Sequence, residues 1–103
     1  MDGLETEFEN GVMRAVLNGE IDHHVCAEVR QEIDREFFKN APKKLILDLS
    51  GMKFMDSSGL GLIMGRYSRC VAVGCEFVLC GIDERAMRIL KMSGMDKVLK
   101  IKV

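Results

Sequence analysis

The pattern that most constrains the fold is a regular alternation of strand-like and helix-like segments along the 103 residues. Short apolar or alternating runs are each followed by longer stretches whose apolar residues recur at helical spacing. Parallel strands need a crossover of a dozen or more residues, and helices usually supply it. The sequence therefore predicts an α/β domain with a mixed, mostly parallel sheet of four or five strands and three or four helices. Residues 1–103 are expected to form one domain.

The predicted elements begin with an N-terminal β-hairpin. Residues 4–9 and 12–18 read as two strands around Asn10-Gly11, the strongest short hairpin signal. A turn over residues 19–22 then leads to a helix for which Asp22 is the candidate N-cap. The other predicted elements are a first helix to about residue 39, a strand 45–49, a loop 52–58, a helix 58–73, a strand 76–80, a helix from Asp83 to residues 93–94, and a strand 98–103.

Two predicted helices carry apolar stripes that indicate which face packs on the sheet. The stripe of the first helix consists of Val25, Val29, Ile33 and Phe37. The stripe of the second consists of Leu60, Ile63, Met64, Tyr67 and Val71. Four methionines near the strand ends are expected to fill gaps in the core, because Met adapts to irregular spaces; they are Met52, Met55, Met92 and Met95.

The charge balance bears on the class of partner. The formal net charge of −1 argues against a nucleic-acid binder, which needs a basic face. The charge is nonetheless uneven, with ten acids and four bases in residues 1–40 and six bases and one acid in residues 85–103. No apolar run approaches the roughly 18 residues of a membrane span, and the first residues are acidic, unlike a signal peptide. We expect a soluble, cytoplasmic protein with no membrane partner.

The four cysteines give no metal-binding or disulfide pattern. They are Cys26, Cys70, Cys75 and Cys80. Their spacing contains no CxxC pair, and Cys75 and Cys80, if both lie in one strand, point to opposite faces. We expect small buried residues in a reducing compartment, with no metal and no cofactor.

The most informative segment spans residues 54–61, FMDSSGLG, where a buried strand is predicted to end and a helix to begin. In open α/β sheets, sites form at the carboxyl ends of strands. Either Ser57 or Ser58 could simply cap the helix. A phosphoryl group on Ser58 would instead add about 1.5 to 2 negative charges beside the carboxylate of Asp56. Its main effect would fall on a partner docked over the site.

Glycines inside the second predicted helix need a reason, because each costs about 1 kcal/mol relative to alanine. Gly59, Gly61 and Gly65 form a small-residue stripe with Ser57, Ser68 and Ala72. The stripe predicts close approach by the sheet, another helix or a partner protein. Since Ser57 falls on this stripe, Ser58 is expected to face outward, where a kinase could reach it.

Three segments together carry a family resemblance. Residues 54–67 resemble the signature of STAS domains in anti-sigma-factor antagonists, and are most similar to those that control the first forespore-specific sigma factor of spore-forming bacteria. Residues 19–24, GEIDHH, resemble the first strand-to-helix turn of that family. Residues 92–98, MSGMDKV, resemble its C-terminal helix-to-strand turn.

The resemblance implies a small STAS-type domain that acts as a phosphorylation switch. It implies a partner that is both an anti-sigma factor and an ATP-dependent serine kinase, which the unphosphorylated chain binds to free the sigma factor. The phosphoacceptor is the second serine of the motif, here Ser58, and a separate serine phosphatase resets the switch. A chain of this kind is not an enzyme, and we expect it to be a monomer when free. Positions implied to bind the partner or support the phosphosite are Asp22, Asp56, Ser57, Gly59, Leu60 and Gly61.

Two other functions remain open from the sequence. A STAS module could serve another partner-switching stress pathway with a different partner. A serine hydrolase would use Ser57 or Ser58 as nucleophile and His23 or His24 as base, but the segment lacks the Gly-x-Ser-x-Gly elbow. A nucleotide-binding enzyme is disfavoured because no phosphate-binding glycine loop is present, although weak nucleotide binding near Ser58 is compatible with a helix N-terminus.

Overall fold

The computed structural model describes residues 3–102. The strands are β1 (Leu4–Glu9), β2 (Val12–Ile21), β3 (Lys44–Met55), β4 (Glu76–Cys80) and β5 (Lys100–Lys102). The helices are α1 (His23–Asn40), α2 (Ser57–Val73) and α3 (Glu84–Ser93), with a single 3-10 turn at Met95–Lys97. The predicted α/β class is confirmed. Part of the last predicted strand, Val103, lies outside the described residues.

The five strands form one sheet in the order β1-β2-β3-β4-β5. The pair β1–β2 is antiparallel and closes at Asn10-Gly11, where both residues have positive φ (52° and 80°). This confirms the predicted hairpin, since a tight primed turn requires φ > 0 at both central residues. The remaining pairs are parallel, with helices in the connections.

Strands β2 and β3 are longer than predicted. The predicted turn at 19–22 and the predicted loop at 52–58 are wrong over most of their length, because β2 continues to Ile21 and β3 to Met55, and the two extensions pair with each other. Two register shifts interrupt this pairing. Glycine explains both the irregularity and the error: Gly19 has φ 80°, and a Cβ on Gly51 would overlap with the Asn18 side chain. Glycines that mark a turn in isolation here mark bulges in paired strands.

The buried face of α2 is rotated from the predicted one. The buried residues of α2 are Gly59, Leu62, Ile63, Arg66 and Cys70. Only Ile63 of the predicted stripe is buried, while Met64 and Val71 are exposed. Small and apolar residues lie on most sides of this helix. Periodicity alone therefore allowed either the predicted stripe or the observed one to be the buried face. Arg66 is the charged residue on this buried face, and an ion pair explains its burial. Its Nε lies 2.9 Å from the Asp34 carboxylate of α1.

One cluster of buried side chains joins the sheet, α1, α2 and α3. Met55 is buried in it, and Met52 and Met95 pack against it, whereas Met92 is 86% exposed, contrary to the prediction. The cysteines are free thiols; Cys26, Cys70 and Cys75 are buried and Cys80 is half-buried. Cys75 precedes β4 instead of lying in it, so the argument from opposite strand faces does not apply. Burial raises the pKa of Cys70 to about 12. None of the described helices combines the length and the apolar character that crossing a bilayer requires.

Asp48 is a buried carboxylate of β3 on the sheet face opposite the core. It accepts a hydrogen bond from the Ser50 amide at 2.9 Å and pairs with the half-exposed Arg14. Burial alone would raise the pKa of Asp48, but the hydrogen bonds from Ser50 and Arg14 outweigh it and hold the pKa below its ordinary value of 3.8. The ionised form is therefore the one that stabilises the fold.

This carboxylate gives a pH-dependent prediction. A depressed folded-state pKa contributes stability that is present above the unfolded value and is lost as the pH falls through the folded value. Asp48→Asn should therefore lower the free energy of unfolding by about 1 kcal/mol at neutral pH, because a charged hydrogen-bond acceptor is lost. The difference between the two proteins should shrink as the pH falls below about 4. Urea unfolding along that pH series measures it, and a difference that stayed constant would contradict the assignment.

Candidate functional site

The site lies where the two longest parallel strands end side by side. Ile21 of β2 and Met55 of β3 are register partners, so the residues that follow them emerge at the same edge of the sheet. Each is an aspartate that caps a helix. Asp22 accepts from the Val25 amide at the start of α1 at 3.0 Å, and Asp56 accepts from the Ser58 amide at the start of α2 at 2.8 Å. The predicted cap at Asp22 is confirmed.

The cap of α2 differs from the simplest expectation. The sequence allowed Ser57 or Ser58 to cap this helix, but Asp56 does so and both serines lie in its first turn. Neither hydroxyl is therefore committed to the capping role. A carboxylate that accepts from two positions ahead is a local Asx-type turn, which holds the start of the helix in place.

Ser58 faces the other helix. Its Oγ lies 3.2 Å from the Nδ1 of His23, the first residue of α1. The neighbouring His24 packs edge-on against His23 with ring centroids 6.1 Å apart. The sequence offers either histidine as a base for one of the serines but does not specify this contact. Parallel pairing of β2 with β3 was the missing information, because it brings the two helix starts together.

The exposure of the two serines is the reverse of the expectation. Ser57 is exposed, whereas Ser58 is half-buried between the helices. The argument that Ser58 must be the more solvent-facing hydroxyl is therefore wrong. What distinguishes Ser58 is its position in a groove between α1 and α2. The groove is lined by His23, Cys26, Ala27, Arg30, Ser58, Gly61 and Leu62.

The groove has a definite charge distribution. Burial raises the pKa of the Cys26 thiol, and the carboxylates of Asp56 and Asp22 raise it further while Arg30 opposes them. Cys26 is therefore a neutral thiol under the influence of two carboxylates and a guanidinium. Across residues 3–102 no three His, Cys, Asp or Glu side chains are grouped so as to hold a metal ion.

The small-residue stripe of α2 divides into two parts. A Cβ on Gly59 would overlap with Met55, with the Sδ only 2.6 Å away, so this glycine allows α2 to start close against β3. Gly61 and Gly65 are different, because a Cβ on either would meet no atom within 4 Å. Ser57, Gly61, Ser68 and Ala72 are exposed. The predicted close approach by the sheet holds at Gly59 and is wrong for the rest, which we call the open stripe (Ser57, Gly61, Gly65, Ser68 and Ala72).

The division predicts opposite effects of two identical substitutions. Gly59→Ala should lower the free energy of unfolding by about 1–2 kcal/mol, because the clash with Met55 exceeds the gain in helix propensity. Gly65→Ala should raise it by as much as about 1 kcal/mol, since it adds helix propensity without a clash. Chemical denaturation of both variants measures the difference. Equal shifts would show that α2 does not start against Met55.

The Ser58–His23 pair invites comparison with a nucleophile and its base. Such a pair also needs a group that orients the imidazole and free donors for an oxyanion. Within the described residues the ring of His23 hydrogen-bonds only to Ser58, and the Ser58 amide is taken by Asp56. In that part of the chain, nothing therefore orients the His23 ring from its far side, and the Ser58 amide is not free to serve as an oxyanion donor.

Fold and site together define a family. The family model that describes the STAS domain matches residues 4–103 of the sequence, and the chain belongs to the STAS domain family. A relative from Paenibacillus polymyxa named anti-sigma F factor antagonist is 38% identical over 98 residues, which cover 95% of this chain and 84% of the relative. The chain is thus similar to a protein named as an antagonist of an anti-sigma factor.

Two solved structures of SpoIIAA are also similar. The anti-sigma factor antagonist SpoIIAA in its unphosphorylated form matches with a TM-score of 0.83 and 27% identity over 97% of this chain and 88% of that one. The Bacillus cell fate determinant SpoIIAA in its phosphorylated form matches with a TM-score of 0.78 and 27% identity, covering 97% and 91%. The fold expected from the resemblance is therefore confirmed.

Proposed function

We propose that this chain is an anti-sigma-factor antagonist that phosphorylation of Ser58 switches off. The observation that carries the proposal is the position of the Ser58 hydroxyl, which is free of any capping role and lies at the junction of two helix starts. The name of the Paenibacillus relative supports an anti-sigma factor as the partner. The existence of SpoIIAA in unphosphorylated and phosphorylated forms supports the switch.

The proposed modification is a phosphoryl transfer by the partner. The Ser58 Oγ attacks the γ-phosphorus of ATP, the Oγ–P bond forms, and the bond from that phosphorus to the bridging oxygen of ADP breaks. The hydroxyl proton passes to a base that the kinase supplies. A separate serine phosphatase reverses the change by hydrolysis and releases inorganic phosphate. The chain is a substrate in both reactions.

The open stripe supports a binding face beside Ser58. Gly61 and Gly65 lower the helix propensity of α2 and leave its backbone uncovered by side chains. Nothing in the described residues packs against them to explain that cost. A partner could approach the helix backbone closely along this side. Ser57, Leu60 and Gly61 would contact the partner, while Gly59 and the caps Asp22 and Asp56 would hold Ser58 in place.

Electrostatics give the proposed switch its direction. The Asp56 carboxylate accepts from the Ser58 amide, and a second carboxylate, Asp22, caps the neighbouring helix α1. A phosphoryl group adds about 1.5 to 2 further negative charges there. A docked partner would have to desolvate that charge, and unmatched charge at an interface costs several kcal/mol. The unphosphorylated form is therefore the binding form.

The biological role follows from the proposed partner. By occupying the anti-sigma factor the chain would free a sigma factor and so activate transcription, in the cytoplasm and as a monomer when unbound. The name of the Paenibacillus relative favours the forespore sigma factor and sporulation.

Competition tests this function directly. The unphosphorylated chain is added to a preformed complex of the sigma factor and its anti-sigma factor from the same organism. We expect free sigma factor to appear on size-exclusion chromatography in proportion to the added chain. A chain that neither binds the anti-sigma factor nor displaces the sigma factor would refute the proposal.

A further inference from the structure

Two basic side chains of α1 line the same groove as Ser58. We infer that His23 and Arg30 bind the phosphoryl group within the chain once Ser58 is phosphorylated, so that the modified residue bridges α1 and α2. The ligand class is a phosphomonoester dianion covalently attached to the neighbouring helix. This inference rests on the proposed function only for the claim that a kinase phosphorylates Ser58. The binding of the phosphoryl group by His23 and Arg30 does not depend on that function.

The nearest amides of α2 are not available for the phosphate. The Ser58 amide donates to the Asp56 Oδ1 at 2.8 Å, and the Gly59 amide donates to the Asp56 carbonyl at 3.0 Å. Phosphate could bind those amides only by displacing the cap. Because these two amides are engaged, the facing helix α1 is the better source of counter-charge.

His23 is already in position for this role. Its Nδ1 lies 3.2 Å from the Ser58 Oγ, which becomes the bridging oxygen of the phosphoester. Rotation about the Cβ–Oγ bond brings the terminal oxygens of the same group near that nitrogen. Arg30 lies seven residues further along α1, about 10 Å along the helix axis and on the same face. Its long, exposed side chain lines the groove and can fold back toward the phosphate.

The surrounding charges make such a contact consequential. His23 contacts the Ser58 hydroxyl, and Arg30 and Cys26 line the same groove. The carboxylates of Asp56 and Asp22 and the guanidinium of Arg30 act electrostatically on the Cys26 thiol in that groove. The carboxylates oppose formation of a phosphate dianion, and the two basic groups favour it. Removing a basic group should therefore make the phosphoserine lose its last proton at higher pH.

Phosphorus NMR of the phosphorylated full chain measures that ionisation, which ordinarily occurs near pH 6. Phosphoserine is installed at position 58 during translation, so the test needs no kinase. The midpoint should be higher in His23→Gln than in the wild type by about 0.5 in pH or more, and higher by a smaller amount in Arg30→Gln. His24→Gln is the matched control, since His24 is the adjacent exposed histidine without a contact to Ser58, and its midpoint should equal that of the wild type.

The outcomes separate this inference from the proposed function. Equal midpoints in the wild type and His23→Gln would overturn it, as would equal effects of His23→Gln and His24→Gln. A chain that no anti-sigma kinase phosphorylates, but whose installed phosphoserine shows the His23-dependent midpoint, would refute the proposed function and leave this inference standing.

Discussion

The Ser58→Ala protein is expected to remain bound to the anti-sigma factor in the presence of ATP, whereas the wild-type chain is phosphorylated and dissociates. The substitution removes only the acceptor hydroxyl and its contact with His23, because Asp56 and not Ser58 caps α2. The fold and the initial affinity should therefore change little. Intact-mass spectrometry after incubation with the kinase and ATP should show one added phosphate on the wild type and none on Ser58→Ala.

Ser57→Ala is the matched control, because Ser57 is the neighbouring and more exposed hydroxyl. It keeps the acceptor and loses one proposed partner contact, so it should still gain one phosphate, on Ser58, at a rate lowered at most by the loss of that contact. Ser58→Asp should bind weakly without any kinase, since its carboxylate partly reproduces the added charge. Phosphate found on Ser57 alone, or on Ser58→Ala at the normal rate, would assign the switch to another residue.

Among the substitutions considered, removing the carboxylate of Asp34 is expected to lower the free energy of unfolding most. Arg66 is 5% exposed, and its Nε lies 2.9 Å from Asp34. Burial lowers the pKa of Arg66, and Asp34 opposes that effect. Asp34→Ala would leave a buried guanidinium without its partner, a change that costs about 3 kcal/mol or more. Thermal and urea unfolding of the variant measure this loss.

The double variant Asp34→Leu, Arg66→Met supplies the control. Replacing a buried ion pair with apolar side chains of similar size is often neutral or stabilising, so most of the lost stability should return. A small effect of Asp34→Ala would show that Arg69, whose Nε lies 3.3 Å from the same carboxylate, or solvent already accommodates the change. In that case the pair would not fix α2 against α1.

Local signals predicted most of the fold. Asn10-Gly11 marked the hairpin, and Asp22 and Asp83 marked two helix starts. These features depend on residues close in the chain. The extensions of β2 and β3 depend instead on pairing between the two strands. That pairing cannot be inferred from the residues of either strand alone. The buried face of α2 likewise depends on Asp34, a residue of another helix.

The candidate site could also be predicted only in part, because some of its contacts depend on strand pairing and not on local sequence. The sequence indicated both the segment containing Ser58 and the turn containing Asp22, and the family resemblance supplied the role proposed for the serine. The contact between Ser58 and His23 arises only because β2 and β3 are parallel neighbours in register. Solvent exposure of Ser57 and Ser58 was predicted in reverse, because the open stripe has no packing partner within the described chain.

Calorimetric titration of the anti-sigma factor with the two forms of the chain tests the central claim most directly. One form is unphosphorylated, and the other carries phosphoserine at position 58, confirmed by mass spectrometry. We expect the phosphorylated form to bind at least about 100-fold more weakly, which corresponds to an interfacial charge penalty of roughly 3 kcal/mol. Equal dissociation constants for the two forms would contradict the account, because Ser58 would then be no switch for partner binding.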